Sequence, residues 1–116
     1  MHELAIADAV LAVAGEHAGG RRLASVTVRV GHLRQVVPAA LEFSFALAAE
    51  GTSVAGARLE IEAVPAAGVC RRCGTESELD GFPLACRACG ELDLELIRGE
   101  ELLVDSLECD EMAVSR

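Results

Sequence analysis

The sequence predicts an α+β fold, two helices packed on a small mixed β-sheet, with a cysteine-rich insertion late in the chain. Three observations carry that expectation. Apolar residues recur at helical spacing in two stretches, they alternate at period two in several others, and a pair of Cys-x-x-Cys-Gly motifs interrupts the second half. At 116 residues there is room for one ordinary domain, or for a small domain carrying a module too short to bury a core of its own. With three Phe and neither Trp nor Tyr, the core must come from Val, Leu, Ile and Ala.

The first helix is expected over about residues 3–17, where Leu4, Ala7, Val10, Leu11 and Ala14 share a face and Gly19-Gly20 stops the run. Val26, Val28 and Val30 then alternate with Ser25, Thr27 and Arg29, a strand with one buried face that Gly31 closes. Pro38 suits a first helical position, Leu41, Phe45 and Ala48 share the next helical face, and Gly51 ends that helix at about 38–50. Leu59, Ile61 and Ala63 alternate with Arg58, Glu60 and Glu62 in a second strand, which Pro65 terminates. Beyond the cysteine motifs, Leu92, Leu94 and Leu96 alternate with acids, Arg98-Gly99 offers a turn, and Leu102 to Leu107 supplies a last strand.

Composition shifts at Pro65-Ala66-Ala67-Gly68, where Cys70-Arg71-Arg72-Cys73-Gly74 begins; twelve residues later comes Cys86-Arg87-Ala88-Cys89-Gly90. A Cys-x-x-Cys turn aims two sulfurs at one point, and the glycine lets the backbone fold beneath them. Two such turns complete a tetrahedral four-sulfur site formed by Cys70, Cys73, Cys86 and Cys89. Zinc is the default occupant. A rubredoxin-like iron would also accept four thiolates, but such a site is usually insulated by aromatic residues and only Phe82 lies in this loop. Two disulfides suit a secreted chain better than this one, and a thioredoxin-type pair would open a helix, which the glycines disfavour. The expected module is thus zinc-ribbon-like, with 67–98 as the zinc-binding module and 1–66 with 99–116 as the remaining domain. With four protein ligands the ion has no open position, so the site reads as structural. Cys109, the odd cysteine, reads as a packed or exposed thiol at a strand end.

Charge excludes several function classes. Net charge is −9, with seven acids against seven arginines in residues 1–75 and twelve acids against three arginines in 76–116. No stretch supplies the basic footprint that binding to nucleic acid requires. There is no lysine, so a Schiff-base or P-loop lysine is excluded. Glu3 and Asp8 occupy the region where a secretory signal would carry positive charge, and no window approaches an uncharged membrane span. The expectation is a mature amino terminus, with Met1 retained ahead of a bulky second residue, in a cytoplasmic protein. No Ser, Cys or carboxylate stands in a catalytic pattern with a histidine, so an enzyme is not expected.

The opening Met1-His2-Glu3-Leu4-Ala5-Ile6 would by itself be a polar start to a helix. It gains meaning beside Val30-Gly31, Val37-Pro38, Phe43-Ser44-Phe45, Gly51-Thr52, Leu59-Glu60-Ile61-Glu62, the paired knuckles and Gly99-Glu100-Glu101-Leu102. Together, in this order, these resemble the HypA family of hydrogenase, and in some members urease, maturation factors, over essentially the whole chain. The resemblance implies a nickel metallochaperone in which His2 binds nickel, Glu3 assists, and Cys70, Cys73, Cys86 and Cys89 hold zinc. It also implies a HypB-type GTPase and a nickel–iron hydrogenase large subunit as partners, with urease machinery as a further destination. Chemistry agrees with the opening stretch: the Met1 amine, the backbone nitrogens of His2 and Glu3, and the His2 imidazole can reach a single ion, a set of nitrogen donors that suits Ni(II). The Glu3 side chain then has a supporting role. Ala5 stands where many members have serine, which weakens a possible helix cap. His17 and His32 have no motif around them and read as ordinary residues. A zinc-ribbon interaction or regulatory module without nickel transfer is the alternative, and it would leave Met1-His2-Glu3 without a purpose.

Overall fold

A computed structural model describes residues 2–109. The element order is α1 (Glu3–Ala18), β1 (Leu23–Gly31), a 3-10 turn (His32–Arg34), α2 (Pro38–Ala49), β2 (Arg58–Val64), β3 (Ala66–Cys70), β4 (Glu76–Leu79), β5 (Leu94–Arg98) and β6 (Leu102–Cys109). The strands are divided between two three-stranded sheets, ordered β2-β1-β6 and β4-β3-β5. The chain also separates into two compact units. One comprises the stretches up to Arg29, Val36–Glu62 and from Leu103 onward; the other comprises Val30–Gln35 and Ala63–Leu102.

In the first unit, α1 and α2 pack against each other, and their buried apolar residues are Ile6, Ala7, Val10, Ala14 and Ala18 on α1 and Leu41, Phe45 and Ala49 on α2. The buried stripes differ by one position from those expected: Leu4 is 55 % exposed, and Ala49 replaces Ala48. Both helices carry alanine or leucine nearly all round, so apolar spacing alone leaves the inward face ambiguous. Gly19 ends α1 in the left-handed conformation, with φ 59°, where a side chain would be strained. Pro38 occupies the first turn of α2, where its missing N–H costs nothing. Val26, Val28 and Val30 are buried on β1 as their alternation requires.

The second unit contains two strands that composition did not mark. The β3 segment Ala66-Ala67-Gly68-Val69-Cys70 pairs antiparallel with β4 on one side and β5 on the other. The composition shift at Pro65-Ala66-Ala67-Gly68 marks the start of the cysteine module but not this strand. A central strand buried on both faces shows no period-two contrast, which is why it escaped. Residues 94–98 accordingly join β3 in the module's own sheet, and β6 alone returns to β1. Backbones approach closely at Gly31 and Gly99. A Cβ on Gly31 would lie 2.0 Å from the Gly99 carbonyl oxygen, and one on Gly99 would lie 2.6 Å from Ala66 Cα. Leu33 N–H donates to that same Gly99 carbonyl at 2.9 Å, and Gly31 N–H donates to Glu101 at 2.8 Å. Glycine is required at both positions.

Candidate metal centres

The two Cys-x-x-Cys-Gly motifs fold alike. In the first knuckle Gly74 N–H donates to Cys70 O at 2.9 Å and Cys70 N–H to Thr75 O at 3.0 Å; in the second, Gly90 N–H donates to Cys86 O at 2.8 Å and Cys86 N–H to Glu91 O at 2.8 Å. The glycines have φ 77° and 81°, so the chain reverses beneath the sulfurs as only glycine does at low cost. Backbone amides then point at sulfur: Arg72 and Cys73 N–H lie 3.3 Å from Cys70 Sγ, and Ala88 N–H lies 3.3 Å from Cys86 Sγ.

The four sulfurs lie within 4.8 Å of one another, with Cys70–Cys89 and Cys73–Cys86 separations of 3.6 Å. Four sulfurs at about 2.3 Å from a tetrahedral zinc ion are about 3.8 Å apart, so the cluster is close to the size that ion requires. Cys70 and Cys86 are buried while Cys73 and Cys89 are exposed, so each knuckle contributes one inner and one outer ligand. The thiols do not titrate alike. Hydrogen bonds from the Thr75 hydroxyl and its backbone bring Cys73 down to about 6. The Cys89 N–H, followed by that of Ala88, lowers Cys86. The Glu91 N–H favours the Cys89 thiolate, but desolvation and the other three sulfurs outweigh it and push Cys89 up to about 12. Crowded thiolates repel one another, and a bound dication removes that penalty.

Side chains that no motif marked support this cluster. Thr75 Oγ1 lies 3.3 Å from Cys73 Sγ, and the buried Ser77 hydroxyl accepts the Arg87 N–H at 3.2 Å, tying the second knuckle to β4. Arg71 pairs with Asp93 and Arg87 with Asp80 on the surface. Such exposed pairs add little stability. Ser77 was detectable only as the inward position of a Glu-Ser-Glu-Leu alternation whose small polar residue hides the pattern.

At the other candidate centre, Met1 lies outside the described residues. His2 is exposed and serves as the N-cap residue of α1 without a side-chain cap, so position 5 is inside the helix and the expected consequence of Ala5 for capping does not apply. The helical ladder begins with Ile6 N–H to His2 O at 2.9 Å, which leaves the N–H groups of residues 2 and 3 outside it. His2 has ψ 36°, a torsion that brings its own nitrogen and that of Glu3 to the same side of the intervening bond. A five-membered chelate ring through two successive backbone nitrogens needs that arrangement. The Glu3 side chain is buried and turned inward, its carboxylate accepting the Val37 N–H at 3.0 Å. A hydrogen bond from the chain's amino terminus, followed by that from the Val37 N–H, brings the Glu3 carboxyl down to about 2. Of the other two histidines, His17 Nδ1 lies 2.9 Å from Val13 O and His32 opens the 3-10 turn. Among the described residues, neither shares a metal-ligating cluster, and Cys109 stands outside the four-sulfur group.

A family model described as "Hydrogenase/urease nickel incorporation, metallochaperone, hypA" matches residues 1–109. The chain belongs to the HypA family. Among curated members it is 43 % identical over 110 residues to a hydrogenase maturation factor HypA of Geobacter metallireducens, covering 95 % of this chain and 100 % of that one. It is 38 % identical over 114 residues to the HypA of Trichodesmium erythraeum, covering 98 % and 100 %. The solution structure of the Ni metallochaperone HypA from Helicobacter pylori is similar in fold, with a TM-score of 0.67 at 22 % identity over 94 % of this chain and 97 % of that one. HypA membership makes the chain a maturation factor of the nickel metallochaperone class rather than a catalyst. The four-cysteine cluster fits the structural zinc expected of it. Among the described residues, no helix is long and apolar enough to cross a membrane.

Proposed function

We propose that this chain binds Ni(II) at its amino terminus and delivers it to a nickel enzyme, with a nickel–iron hydrogenase large subunit as the recipient. The nickel ligands are the Met1 amine, the backbone nitrogens of His2 and Glu3, and the His2 imidazole. Zinc is held by Cys70, Cys73, Cys86 and Cys89 in a module spanning 67–98, with 1–66 and 99–116 forming the nickel-binding part. A HypB-type GTPase is the partner in transfer, and urease machinery is a second destination. The free thiols of the knuckles suit a reducing compartment, the cytoplasm.

The observation that carries the reading is the start of α1: an exposed His2 whose backbone presents two successive nitrogens on one side, at the one place in a helix where they are not committed to the ladder. Nitrogen donors suit nickel, and an ion held by a proton-sensitive end of the chain can be surrendered. The four-sulfur site has the opposite character. The test is calorimetric nickel titration of zinc-loaded protein with its native terminus. One equivalent of nickel should bind, and His2→Ala should abolish it with zinc content and helicity unchanged. Nickel that survives His2→Ala and is lost with His17 or His32 would move the site elsewhere.

A further inference from the structure

Among the described residues Glu3 alone is both charged and buried. Its carboxylate reaches across to Val37, 34 positions away, and accepts that residue's N–H at 3.0 Å. Val37 is the N-cap of α2: its carbonyl receives the Leu41 N–H at 3.0 Å, while its own N–H lies outside the helical ladder. Pro38 follows with no N–H to offer, and the Val37 N–H is the donor that the Glu3 carboxylate meets at this helix entrance. The contact joins the first turn of α1 to the entrance of α2. It also anchors Glu3 at the first helical position, immediately after the His2 ψ torsion that sets the two nitrogens side by side. On the other side of that torsion, the Ile6 N–H donates to the His2 carbonyl at 2.9 Å.

We propose that the Val37 N–H and the Glu3 carboxylate form the positioning pair of the nickel site, holding the His2–Glu3 peptide in its chelating conformation. Glu3 then acts by its side chain as an anchor and by its backbone as a donor. The inference rests on the terminal-chelate reading above. A chelate whose bite is already set loses less conformational freedom when it closes on the ion, and freeing the peptide returns that cost to the binding step.

Val37 is suited to a test because it is half-exposed, distant in sequence from every proposed ligand, and has φ −85°, which proline nearly matches. Val37→Pro deletes the N–H; Val37→Ala keeps it. In zinc-loaded protein with a native terminus, Val37→Pro should bind nickel roughly tenfold more weakly than Val37→Ala, the penalty of refixing one or two residues. The visible absorption of the nickel complex at saturation should be the same in both, since the ligands are unchanged. Glu3→Gln retains an acceptor for Val37 and Glu3→Leu does not, so Glu3→Leu should bind nickel more weakly than Glu3→Gln, and in the Glu3→Leu background Val37→Pro should bind no more weakly than Val37→Ala. Should Val37→Pro fail to fold, as judged by helicity and zinc content, the Glu3→Gln and Glu3→Leu pair decides. Equal affinity in Val37→Pro and Val37→Ala, or equal loss in Glu3→Gln and Glu3→Leu, overturns the pair. If His2→Ala keeps its nickel, the terminal-chelate reading itself has failed; if it loses nickel while Val37→Pro does not, only the positioning pair has.

Discussion

The two candidate centres are built in opposite ways. Each half of the four-sulfur cluster is a local turn in which ligand, glycine and the amides that face sulfur lie within six residues, and the turn is made twice with the same hydrogen bonds. The start of α1 has no such local frame. Its proposed donors are one exposed side chain and backbone nitrogens at a helix end, beside a carboxylate that also accepts an N–H from 34 residues away. A permanent ion calls for the first construction, with closed coordination and thiolate ligands. An ion that must be released calls for the second, where each donor is open to protons and to a recipient.

The largest expected effect tests the permanence of the sulfur site. Structural zinc contributes about 10–16 kcal/mol to folding in small zinc peptides. Cys86→Ala should therefore lose zinc and unfold the region around β3 to β5, read as loss of amide dispersion and of bound metal by mass spectrometry. Cys109→Ala should do neither. Zinc retained at full occupancy in Cys86→Ala would make the two centres less different than their geometry implies.

The next effect tests the backbone donors. A single residue added ahead of Met1 turns the amine into an amide and displaces His2, so nickel affinity should drop by a factor on the order of 100 although every side chain remains, while zinc is untouched. Side-chain coordination alone predicts no loss. Free α-amines and imidazoles ordinarily take up protons between about pH 8 and 6. Nickel should accordingly leave the native terminus across that interval while thiolate-bound zinc stays, and both are readable from metal content after dialysis.

The smallest effect concerns Glu3 without any metal change at the knuckles. Its folded carboxyl sits at about 2 against an ordinary 4.5, with the amino terminus as the principal cause and the Val37 N–H next. A depressed acid stabilises the fold fully above about 4.5 and loses that contribution as the pH falls towards about 2. Glu3→Gln, which cannot ionise, should melt at a lower temperature near neutrality and converge with the unsubstituted protein towards pH 2. A difference that persists undiminished at pH 2 would place the contribution of Glu3 in packing rather than charge.

Much of the architecture was legible because it is written at short range. Gly19-Gly20, Pro38 and the valines of β1 announce α1, α2 and β1 within a residue or two, and the knuckles announce four ligands by spacing alone. What escaped was set by partners distant in the chain. The β3 strand has no alternation because both its faces are covered, and β4 hides its inward position under a serine. The inward face of α1 could not be chosen between Leu4 and Ile6 until α2 lay against it.

The nickel end divides the same way. Amino-acid identity alone gave the Met1-His2-Glu3 opening on which the proposed nickel site rests. Only the folded chain decided that the neighbouring glutamate points inward to Val37, because a hydrogen bond across 34 residues is specified by how two helices pack and leaves no periodicity, spacing or composition at either end.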